Sequence, residues 1–173
     1  MSFSVVWFGV QGKSPAAFLE RAGYSDTGEE DAFADADVSG ATYPDGWYVV
    51  VGSDLDLFEV EELKAWSADA RVVAVVNDEE NLTSLATEWR DGKIVWSISH
   101  EPKDGEPVLA VEGTLPDVFE EVKRNYLDKL DGATPMEIAF EVPIEVAFRI
   151  TGFRHDVMGF EPDPPVFTRL VRE

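Results

Sequence analysis

Leu82-Thr83-Ser84-Leu85-Ala86-Thr87-Glu88-Trp89-Arg90-Asp91-Gly92-Lys93-Ile94-Val95-Trp96-Ser97-Ile98-Ser99-His100 is the stretch on which the fold class turns. Two segments of β-type alternation flank Asp91-Gly92, a dipeptide favoured in two-residue type I′ turns because both turn positions need positive φ. A two-residue turn sets Arg90 opposite Lys93, Trp89 opposite Ile94 and Thr87 opposite Trp96. In that register Leu85, Trp89, Ile94, Trp96 and Ile98 share the core-facing side, and Ser97 and Ser99 point away. An antiparallel hairpin is therefore expected in the middle of the chain.

Working outward, Phe3 to Val10 reads as a strand, and Ser14-Pro15 is a helix start, with serine as cap, proline in the first turn and Gly23 as the stop. Pro44-Asp45-Gly46 is a turn signal before the strand Trp47 to Val51. Residues 58 to 68 carry Phe58, Leu63 and Trp66 among acids, the pattern of a short surface helix, and the apolar run Val72 to Val76 follows. Downstream, Pro107 to Val111 reads as a strand. Leu115-Pro116-Asp117 opens a helix to about Leu130, with Val118, Phe119, Val122, Tyr126, Leu127 and Leu130 on one stripe. Met136 to Val142 reads as extended, Pro143 as the first residue of a helix ending near Gly152, and Val166 to Val171 as a last strand. The whole predicts an α+β fold over residues 1–173 as one domain: a mainly antiparallel twisted sheet with helices packed chiefly on one face. Parallel pairing of the first strand is left open.

Residues 25 to 45 are rich in Asp, Glu, Gly and Ala without a clean period, and are expected to form one long acidic loop. A loop of about twenty residues is unusual in a domain and marks a candidate contact surface. Its acids Glu29, Glu30, Asp31, Asp35 and Asp37 are the candidate partner-binding residues; a solvated tether is the plain alternative.

The 173 residues hold 35 acidic and 14 basic side chains, for a net charge of −21. That balance repels nucleic-acid phosphate and anionic lipid and favours a basic protein partner, so direct binding to nucleic acid is not expected. Solubility, or life in a salty cytoplasm, would account for the same charge. No cysteine is present, which removes disulfides, thiolate nucleophiles and cysteine-held zinc. The N-terminus lacks a basic segment and a cleavage pattern, and no apolar run approaches the ~20 residues that span a bilayer, so a cytoplasmic, bacterial-type protein without membrane contact is expected.

Catalytic signals are sparse. Gly9-Val10-Gln11-Gly12-Lys13-Ser14 ends like a phosphate-binding loop, but its glycines are too close and Pro15 removes a needed N–H. Gly-x-Ser-x-Gly is absent. His100-Glu101 and His155-Asp156 hold the only two histidines, each beside a carboxylate. Together these residues form the alternative site, a small metal-dependent hydrolase, if folding unites them. A buried, satisfied His100 and a helix-capping His155 are the plain readings. No cofactor or metal is predicted, and the leading expectation is a non-catalytic, inhibitor-like or immunity-like module for a basic protein.

Overall fold

The computed structural model of the chain describes residues 4–102, 109–127, 135–157 and 163–173. Its central strand is β1 (Ser4–Gln11), in which every residue from Val5 to Val10 is buried. Successive side chains of a strand point to opposite faces, so an apolar run without polar alternation must be covered on both sides. Val5 and Trp7 enter one core, while Val6, Phe8 and Val10 enter a second.

The remaining elements follow in the order α1 (Pro15–Ala22), β2 (Tyr24–Glu30), β3 (Val38–Tyr43), β4 (Trp47–Gly52), α2 (Val60–Trp66), β5 (Arg71–Asp78) and β6 (Thr83–Arg90). Then come β7 (Lys93–His100), β8 (Leu109–Gly113), α3 (Val118–Leu127), α4 (Pro135–Thr151) and β9 (Thr168–Arg172). Among the described residues the strands form one nine-stranded sheet in the order β2-β9-β3-β4-β1-β5-β6-β7-β8. Each neighbouring pair is antiparallel, β1 included, against both β4 and β5.

The fold is thus α+β with an antiparallel sheet, and its helices divide between the two faces instead of gathering chiefly on one. Phe18 and Leu19 of α1 and Leu63 and Trp66 of α2 cover Val6, Phe8 and Val10. Phe119 and Val122 of α3 and Val142, Val146 and Ala147 of α4 cover Val5 and Trp7. The reason lies in β1, whose two apolar faces each demand a layer.

Local signals set the elements. The Ser14 side chain accepts from the Ala17 N–H at 3.2 Å and caps α1, which Gly23 closes at φ 78°. Lys13, the lysine of the loop-like motif, is engaged with Asp69 at 2.6 Å. A capping box of Glu59 and Glu62 starts α2.

Three expectations are corrected. Residues 25–45 are not one loop: β2 and β3 occupy most of the stretch, and only 31–37 lie between them. Pairing with β9, a strand far along the chain, organises β2 where no local period signals it. Met136 to Val142 is helical, part of a 17-residue α4 that carries Pro143 inside it. Ile138, Val142 and Val146 recur four apart and are all buried, and the packing of that apolar face outweighs the proline. Finally, the hairpin register holds at Arg90↔Lys93 and Trp89↔Ile94 but shifts to Glu88↔Trp96. Val95 is an extra residue in β7, and this bulge turns Trp96 and Ile98 toward the α3–α4 core while Trp89 faces α2. The single apolar face expected for Leu85, Trp89, Ile94, Trp96 and Ile98 is therefore two.

Candidate functional site

The sheet ends in an acidic edge. In β2 only Tyr24 is buried, and the six residues from Ser25 to Glu30 are exposed. Pairing to β9 runs Tyr24↔Arg172, Ser25↔Val171, Asp26↔Leu170 and then shifts before Glu30↔Thr168. Local bonds shape the shift: the Asp26 carboxylate accepts from the Gly28 N–H at 2.9 Å, and the Thr27 hydroxyl donates to the Arg169 carbonyl at 2.9 Å. Such a bulge on an edge strand works against indiscriminate strand pairing.

From β2 the chain enters the 31–37 turn, which is built around Asp31. Its carboxylate accepts from the N–H groups of Asp35 at 2.9 Å and Ala36 at 2.8 Å and from the Ser39 hydroxyl at 2.5 Å. Its own N–H donates to the Phe167 carbonyl at 2.9 Å, tying the turn to the core. Partial burial pushes the Asp31 pKa up, but the Ser39, Ala36 and Asp35 donors outweigh it and hold the carboxyl below its ordinary value. Asp31 therefore organises the turn from inside, whereas Glu29, Glu30, Asp35 and Asp37 are exposed.

The turn also displays Phe33, 70% exposed, beside Ala34, which packs against the core. Asp37 goes on to line a cleft of about 450 Å³ together with Tyr24, Asp54, Asp56 and Leu57. Phe33, Asp54 and Asp56 were not among the candidates read from the sequence. Phe33 had a local signal, as the one large apolar residue between Tyr24 and Val38. Asp54 and Asp56 reach the cleft only through the β3–β4 pairing.

The histidines lie elsewhere. Asn77, Ser84 and His100 face one another across β5, β6 and β7 in the register Asn77↔Ser84↔His100. His100 is fully buried. Ser84 donates from its hydroxyl to the Phe140 carbonyl of α4 at 2.8 Å, so the row lies beneath that helix. His155, just past α4, accepts at Nε2 from the Asn77 amide at 3.0 Å. Burial depresses the His155 pKa; the Asp156 carboxylate pulls it up and Arg154 pushes it down. The structure thus brings both histidines to one face, at opposite ends of a row spanning two strand spacings, about 10 Å. Glu101 is exposed, and Asp156 is exposed and bonded to Arg154 at 2.6 Å. Among the described residues no group of three or more His, Asp or Glu is placed to hold a metal ion.

A second concavity, of about 560 Å³, lies between α3 and α4 and includes Tyr126, Glu141, Glu145 and Arg149. Its carboxylates are engaged. Arg154 pairs with Glu141, Glu145 and Asp156, and Arg149 pairs with Glu145 and Glu121. Burial raises the Glu141 pKa despite Arg154.

Among the described residues no helix is long and apolar enough to cross a membrane. Compared with protein-family models, curated proteins and solved structures, the chain matches none.

Proposed function

We propose that this protein is a non-catalytic binding module whose acidic edge, formed by β2 and the 31–37 turn, docks a basic protein. The observation that carries the reading is Phe33: a phenylalanine 70% exposed on a turn that Asp31 pins by three hydrogen bonds. Interface hot spots combine an apolar anchor with preorganisation, because a loop already fixed in place loses little entropy on binding. Glu29, Glu30, Asp35 and Asp37, exposed on either side of that anchor in the chain, supply charge that steers a basic partner and sets register more than it adds affinity. Asp37, Asp54 and Asp56 line the neighbouring cleft together with Arg172, which is paired with Glu62, so the three carboxylates extend the acidic field to a concave surface.

The test is affinity capture from a lysate of the native host at about 20 mM and about 150 mM salt, where the Debye length falls from roughly 20 to 8 Å. A basic protein retained by the wild type, more strongly at low salt, and lost with Phe33→Ala is the expected result. Retention unaffected by Phe33→Ala removes this surface from the account.

A further inference from the structure

The far half of the sheet carries a concavity of a different kind. Between α2 and the β6–β7 hairpin lies a groove of about 250 Å³, walled by Phe58, Val60 and Leu63 on one side and Leu85, Trp89 and Ile94 on the other. The Val95 bulge creates it, since the bulge leaves Trp89 and Ile94 on the α2 side while Trp96 turns to the opposite core. In sheet order β2 and β6 are six strand spacings apart, about 29 Å, so the groove is independent of the acidic edge.

We infer that this groove binds a small uncharged ring compound, of one or two fused rings with at most one hydrogen-bonding atom. Among the described residues the lining holds no ionisable group, although 28% of the chain is charged. Its only polar side chains are Thr87 and Ser97, and the Thr87 hydroxyl already accepts from the Trp89 indole N–H at 3.1 Å. Thr87 is buried whereas Ser97 is partly exposed, so Ser97 is the hydroxyl that meets the ligand.

Size agrees with this occupant. An apolar cavity of about 150 Å³ admits benzene, so the present volume suits a naphthalene-sized molecule. A second copy of the chain fits poorly: only Val60 and Ile94, 55% and 47% exposed, rise at the rim, and each copy carries −21. A stable dimer needs about 800 Å² from each partner. An anionic amphiphile would meet the same negative field without a cation in the lining, and a basic segment would find no carboxylate there.

The test is a titration of the ¹⁵N-labelled protein with 2-naphthol at neutral pH, following the Trp89 Nε1–H and the backbone amides of Leu85 and Ile94. Saturable shifts confined to the groove are expected, weakened at least tenfold by Ser97→Phe, which fills it. Ile94→Trp, at an exposed position, serves the same purpose if Ser97→Phe does not fold. Shifts that fail to saturate, or that persist unchanged in a folded groove variant, overturn the assignment. A concentration-dependent dimer in sedimentation that Ile94→Asp dissolves overturns it in favour of a second copy.

Discussion

His155 illustrates how one side chain ties the protein to solvent pH. Its ring accepts from Asn77, and its pKa lies below the ordinary histidine value because burial disfavours the imidazolium. Unfolding therefore releases a ring that binds protons more readily, so stability falls as pH drops below about 6.5 toward the depressed native pKa. Urea midpoints measured between about pH 7.5 and pH 5.5 should decline more steeply in the wild type than in His155→Gln. Parallel slopes would remove His155 from the pH response. The sequence placed this histidine near a helix exit, which is where it sits. Its contact with Asn77, 78 residues away, is a tertiary pairing that no local pattern encodes.

Elements here are governed by backbone exceptions as much as by periodicity. Asp91-Gly92 announces the hairpin, and the first two pairs of the register follow from the turn alone. Val95 carries no mark of the bulge that follows, because the extra residue is stabilised from the next strand: the Thr114 N–H donates to the Val95 carbonyl at 2.9 Å. Gly113 makes that approach possible. It has φ 79°, and a Cβ there would stand 2.2 Å from the Val95 carbonyl oxygen. Gly113→Ala should thus destabilise the protein by about 1–3 kcal/mol despite its exposed position. A thermal melt unchanged from wild type would show that β8 shifts without cost. In α4 the proline suggested a boundary, while the buried apolar face of Ile138, Val142 and Val146, four residues apart, carries the helix through it. For the acidic edge, the composition of residues 25–37 was legible, but β2 was not, since its partner β9 lies at the other end of the chain.

At the scale of the whole molecule, two layers of helices enclose a sheet whose central strand is apolar on both faces, and most of the charge is left outside, Glu88 being buried and paired with Arg71 and Arg90. A net −21 repels itself in the folded state, so screening should help. Raising NaCl from about 0.02 to 0.5 M should increase the unfolding temperature; a flat or falling response would mean that the ion pairs around Arg154 and Asp69 outweigh the repulsion. The central claim is that one edge, not the total charge, engages a basic protein. It is tested most directly by comparing capture by two variants that lose the same charge. One carries Glu29→Gln, Glu30→Gln, Asp35→Asn and Asp37→Asn at the edge, and the other carries Glu20→Gln, Glu79→Gln, Glu80→Gln and Glu112→Gln at exposed sites elsewhere. Loss of the retained basic protein from the first variant but not the second is the predicted result, and equal retention, equal loss or no basic protein retained by the wild type would contradict it.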